Sequence, residues 1–114
     1  MMKTWRDKND FKIHVRKWAR KLGVEARSVS VRPMRNKWAS CSTAGSLNFN
    51  SDLLSLHRDL ADFVIVHELL HFSVPNHGRL WKSLMRAHLG DYEYLELRLR
   101  RLDSATRFRQ NSMP

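Results

Sequence analysis

The stretch from Leu60 to His71 constrains this chain more than any other. Leu60, Phe63, Val64, Ile65, Val66, Leu69 and Leu70 crowd it with apolar side chains, and His67, Glu68 and His71 stand among them. The pattern predicts a helix from about Leu56 through His71. Val74-Pro75 is expected to end it, because the residue before a proline is pushed out of the α region. A helix that is apolar on most of its faces belongs inside a protein rather than on its surface. Hydrophobic residues make up 42% of the 114 residues, enough for one modest core in a single domain spanning 1–114.

The flanking segments supply the rest of an α+β domain. Phe11, Val15, Trp18 and Leu22 recur at helical spacing before Gly23, predicting an amphipathic helix over about 9–22. Val29, Val31 and Pro33 alternate with Ser30, Arg32 and Met34 and read as a short strand. Thr43 to Ser46 reads as a turn, and Leu47-Asn48-Phe49-Asn50 as a second alternating strand. The two strands are expected to pair as a small antiparallel sheet, a hairpin with an irregular loop around Trp38 to Cys41. Asn76 suits the N-cap of a further helix through Leu80, Trp81, Leu84, Met85 and Leu89, closed by Gly90. Tyr92, Leu95, Leu99 and Leu102 predict a last helix, followed from about 103 to 114 by a mobile tail with few apolar residues.

Two histidines four residues apart on a helix present their imidazoles on one face, where each can offer a nitrogen to one Zn²⁺. Glu68, beside the first, is rotated off the metal yet within reach of water held there. Zinc lowers the pKa of such water to about 7, and the carboxylate takes its proton during attack. Two histidines and a glutamate on a buried helix also need partners, and one ion satisfies them together. An open tetrahedral site requires one more protein ligand. His77 completes the spacing His67-Glu-x-x-His71-x5-His77, close to the metzincin pattern, while Glu93 or Glu96 could serve instead from a downstream helix. His57 and His88 lack useful spacing. Cys41, the only cysteine, excludes an internal disulfide and a Cys-rich zinc ribbon; it reads as a small buried residue. Trp18, Trp38 and Trp81 read as core aromatics. No oxyanion stabiliser stands out, with Arg79 or a backbone N–H as candidates. A small zinc-dependent hydrolase is the expectation.

The spaced motifs Lys37-Trp38-Ala39-Ser40-Cys41-Ser42, Leu47-Asn48-Phe49-Asn50 with Leu53, Val64-Ile65-Val66-His67-Glu68-Leu69-Leu70-His71, and Pro75-Asn76-His77 with Leu80-Trp81 cover nearly half the chain. Together they resemble the YgjP-like metallopeptidase domain family, minimal zincins related to SprT-like and WLM proteases. The resemblance implies a zincin-like fold in which the catalytic helix is followed by two further helices. It also implies His67, His71 and His77 as zinc ligands, Glu68 as catalytic residue and a peptide or protein substrate. Ala39 and Leu80 depart from the family's usual glycine and phenylalanine. In zincins an edge strand beside the catalytic helix commonly receives an extended peptide, which would make Leu47, Asn48, Phe49 and Asn50 substrate-binding; the alternative is a purely structural hairpin.

Charge leaves further readings open. The net +10 divides into +9 over residues 1–37, −3 over 38–97 and +4 over 98–114. Basic flanks favour polyanions, so Lys12, Arg16, Arg20, Arg98 and Arg101, with Arg100, Arg107 and Arg109, are candidates for non-specific nucleic-acid contact. A zinc-dependent nucleotide phosphohydrolase is another alternative, opposed by the lack of a Gly-rich phosphate loop and of a carboxylate cluster suited to Mg²⁺. No apolar run approaches the roughly 20 residues of a membrane span. The amino-terminal residues lack the features of a secretory signal, so a cytoplasmic location is expected.

Overall fold

A computed structural model describes residues 5–42, 44–74 and 76–105. Helix α1 (Lys8–Leu22) opens the chain, with the Asp7 carboxylate accepting from the Asp10 N–H at 2.8 Å as its N-cap. Gly23 ends it at φ 71°, where its N–H reaches the carbonyls of Ala19 and Arg20. A left-handed residue in that place closes a helix, and glycine adopts it without a Cβ clash. Strands β1 (Ser28–Arg32), β2 (Ala39–Cys41) and β3 (Ser46–Asn50) follow, then a 3-10 turn over Ser51–Ser55. Helices α2 (Arg58–Leu70), α3 (Arg79–Leu89) and α4 (Tyr92–Ala105) complete the domain. No helix among the described residues is long and apolar enough to cross a membrane.

The α+β class and the order of helices match the expectation; the strand pairing does not. The sheet order is β1-β3-β2, with β3 parallel to β1 and antiparallel to β2. The expected hairpin treated Trp38 to Cys41 as loop, but Ala39–Cys41 is itself a strand, so the chain reverses twice rather than once and returns parallel. Its tight turn is between β2 and β3, where Gly45 stands at φ 98° and donates to the Ser42 carbonyl. A Cβ on Gly45 would sit 2.8 Å from the Arg27 side chain. The longer loop from β1 to β2 is pinned by Asn50, whose Nδ2 donates to the carbonyls of Met34 and Lys37, each at 3.0 Å. Its Oδ1 accepts from the Asp52 N–H and so starts the 3-10 turn.

Helix α2 is the centre of the core, with α1, α3, α4 and β2 packed against it. Every residue from Leu60 to Leu70 is buried except Asp62. Asp62 turns to α1, accepting from Trp18 Nε1 at 3.0 Å and meeting His14 Nε2 at 2.6 Å. That link fixes α2 against its neighbour through a half-buried polar bridge. The helix stops at Leu70, earlier than Val74-Pro75: the N–H groups of Ser73 and Val74 both turn back to the Leu70 carbonyl. Asn76 does not cap α3, which starts from Gly78 with no side-chain cap; its Oδ1 accepts from the Gly78 N–H and holds the bend around His77. Gly90 closes α3 as expected. The predicted tail from about 103 begins inside α4, and residues 106–114, with Arg107 and Arg109, lie outside the described residues, as do Thr43 and Pro75.

Candidate metal centre and active site

Two features of local structure bring the histidines together. The helical repeat puts His67 and His71 on one face of α2, with ring centroids 4.8 Å apart. The bend between α2 and α3, held by Asn76, returns His77 to the same place, 5.1 Å from His67 and 4.9 Å from His71. One nitrogen from each ring lies within 4.8 Å of the other two. Among the described residues this is the one group of three or more metal-ligating side chains. Glu93 and Glu96 do not join it; they pair with Arg86 and Arg100 on the outer face of α4.

The surroundings suit a cation. His67 and Glu68 are 2% and 3% exposed, and Glu68 Oε2 lies 3.4 Å from His67 Nδ1, so the carboxylate shares the histidine pocket. His67 Nδ1 and His77 Nε2 are buried with no hydrogen-bond partner, an arrangement that costs free energy unless something absent from the protein binds there. Burial lowers the His77 pKa, and His67 beside it lowers it further. Both keep His77 in the neutral form that a metal requires. The donor set, all imidazole, suits zinc.

Cys41 occupies the rim. In β2 it pairs with Leu47, and Ala39 pairs with Phe49; the side chains of this set face the core and α2. Burial, followed by the charge and hydrogen bonding of Glu68, pushes the Cys41 thiol up to about 11. The thiol therefore stays protonated and acts as a donor toward the Glu68 carboxylate. The sequence reading treated Cys41 as a bystander and missed this contact, which only the fold of β2 over α2 creates.

The strand expected to meet substrate lies at the centre of the sheet, not at an edge. Leu47 and Phe49 point into the core, Asn50 is fully buried by its three internal hydrogen bonds, and Asn48 Oδ1 accepts from Ser30 on the opposite face. As the central strand, β3 has both edges paired. The edge strand next to α2 is β2. In its antiparallel ladder the Trp38 carbonyl accepts from Asn50 and the Ser42 N–H donates to Ser46. Alternation then turns the backbone groups of Ala39 and Cys41 to the outer side.

The other candidate residues are dispersed. Trp38 and Trp81 are core aromatics and Trp18 is half-buried; Trp81 also abuts the histidines. His57 is exposed, and His88 packs edge-on to Trp18. Arg79 is exposed at the start of α3. Lys12, Arg16 and Arg20 lie on α1 and Arg98 and Arg101 on α4. Arg16 already donates to the Ala26 carbonyl and Arg98 to Asp59.

Known proteins are similar to this chain in sequence and fold. MJ0123 of Methanocaldococcus jannaschii, an uncharacterised protein, is 29% identical over 104 residues, 87% of this chain and 94% of its own length. The solved metallopeptidase zymogen jannalysin from the same organism is similar at a TM-score of 0.72 and 26% identity, over 85% of this chain and 98% of its own. Abylysin of Pyrococcus abyssi, also solved as a metallopeptidase zymogen, has a TM-score of 0.67 at 16% identity, over 88% and 98%, a likeness of fold. Residues 3–102, which contain the whole histidine cluster and Glu68, match the YgjP-like metallopeptidase domain, and the chain accordingly belongs to that family of metal-dependent peptidases.

Proposed function

We propose that the protein hydrolyses peptide bonds with a Zn²⁺ held by His67, His71 and His77 and with Glu68 as general base. The convergence of three imidazoles on one point, with a buried carboxylate sharing it, carries the reading. When bound, the ion supplies Lewis acidity, polarising the scissile carbonyl and acidifying water. Glu68 takes the proton of the attacking water as its oxygen adds to the carbonyl carbon. The same carboxyl group then hands that proton to the departing amine as the C–N bond breaks. Cys41, donating to Glu68, holds the carboxylate turned toward the substrate side.

The substrate enters as an extended strand against the outer edge of β2, where the backbone groups of Ala39 and Cys41 offer ladder hydrogen bonds. This moves peptide binding from β3, where the sequence pattern put it, to its neighbour. Metal analysis by mass spectrometry on the wild type and on His77→Ala tests the centre: about one zinc per chain is expected in the first and loss of it in the second. Glu68→Gln should keep its zinc and lose turnover on an unstructured peptide such as casein fragments. A wild type that takes up no zinc under native conditions, or a Glu68→Gln variant that still cleaves, would refute the proposal.

A further inference from the structure

Trp81, in the first turn of α3, closes one side of the histidine cluster. Its indole lies 4.5 Å from the His77 ring and 5.3 Å from the His67 ring, perpendicular to both within about 15°. Tyr92 backs it at 5.9 Å. Trp81 is 5% exposed, and its Nε1–H is buried without a hydrogen-bond partner. An indole nitrogen is a donor and never an acceptor. Leaving such a donor unmet in a dry place is unfavourable, so an acceptor from outside the chain, water or ligand, is its natural partner.

The neighbouring protein groups do not supply that partner. Glu68, which shares the pocket, and Glu96, which Arg100 holds, both leave the indole N–H without a partner. The unpartnered nitrogens of His67 and His77 in the same pocket are accounted for by a cation, which accepts no hydrogen bond. An oxygen from outside the chain fits this donor, carried by water at rest and by the substrate during turnover. Peptide hydrolysis places one there, because the carbonyl oxygen gains negative charge as water adds to its carbon and needs a preorganised donor. Arg79, the side chain the sequence offered for this task, is exposed.

We infer that Trp81 is a catalytic residue of this site, donating its indole N–H to the scissile carbonyl oxygen as that oxygen becomes negative. The inference rests on the zinc-peptidase reading above. The indole transfers no proton: the water's proton still passes to Glu68, and the N–H only hydrogen-bonds the oxygen. A carbonyl-bearing metal chelator placed in the site should engage the same donor.

The experiment uses ¹⁵N-labelled full-length protein with Zn²⁺ and acetohydroxamate. The indole resonance of Trp81, assigned by its absence in Trp81→Phe, should change little with zinc alone and move downfield when acetohydroxamate is added. Trp81→Phe should bind zinc within about twofold of wild type and acetohydroxamate about tenfold or more weakly, the value of a hydrogen bond to a charged oxygen. An indole signal that stays still while wild type binds zinc and acetohydroxamate overturns the donor role and leaves the zinc site intact. That reading needs only the wild type, so it stands even if Trp81→Phe misfolds. Equal acetohydroxamate affinity in a zinc-loaded Trp81→Phe overturns it too. Wild type that binds no zinc removes the underlying site as well, a separate and recognisable failure.

Discussion

Helix α2 and strand β2 meet at the same site and are built in opposite ways. Over Leu60–Leu70 every side chain of α2 except Asp62 is buried, and the polar ones among them, His67 and Glu68, share the histidine pocket. Strand β2 is three residues long, lies at a sheet edge and contributes a rim. Local periodicity determines the helix; pairing with β3 across the turn at Gly45 determines β2. Substitutions at the polar positions of α2 should therefore remove chemistry and spare the fold. Substitutions in the sheet should remove the fold and affect chemistry only through it.

The largest expected effect sharpens the helix side. Glu68→Gln should lower kcat by about 10²–10⁴-fold, the usual contribution of a general base, with metal content and Tm close to wild type. If Tm collapses instead, Glu68 is a structural residue and the contrast fails. His77→Ala comes next: zinc affinity measured by competition with a chromophoric chelator should drop by more than about 100-fold, beyond what loss of a metal's outer partners costs.

On the sheet side, Phe49→Ala removes a fully buried ring and should cost about 3–5 kcal/mol in denaturant unfolding. Asn50→Ala, which frees the Met34 and Lys37 carbonyls and the Asp52 N–H, should cost about 2–4 kcal/mol. Either variant, refolded at low temperature, should keep the KM of wild type. A stable Asn50→Ala protein with a raised KM would break the comparison, because it would return substrate contact to β3.

The smallest effect lies where the two regions touch. Cys41, with its thiol pushed up to about 11, should react with iodoacetamide at pH 8 roughly a hundredfold more slowly folded than unfolded. Glu68→Gln removes the negative partner and should speed the folded reaction. The folded thiol holds its proton more tightly than the unfolded one. Its contribution to stability is thus complete below about pH 8.5 and is lost as pH rises toward 11.

The legibility of the sequence follows the same division. The span of α2, the burial of His67 and Glu68, and the return of His77 were all readable because spacing along one helix and one bend fixes them. The pairing of the sheet was not. Ala39-Ser40-Cys41 is too short to show alternation, so missing that one strand makes a parallel pair look like a hairpin and makes β3 look like an edge. The end of α2 falls within one residue of the expected His71, although the turn back to the Leu70 carbonyl, and not Val74-Pro75 itself, closes it. The indole of Trp81 looked like ordinary core, since its neighbours come from α2 and from the bend, and nothing in its own segment announces them.

A docking edge only three residues long also restricts what such an enzyme cuts. An α-helix satisfies its own amides and has none to lend to a foreign ladder, and a strand already inside a sheet has its partners. On the proposed docking, slack or unravelled stretches of polypeptide are the ones that fit along Ala39 to Cys41, and the helical faces of intact globular proteins are poor substrates.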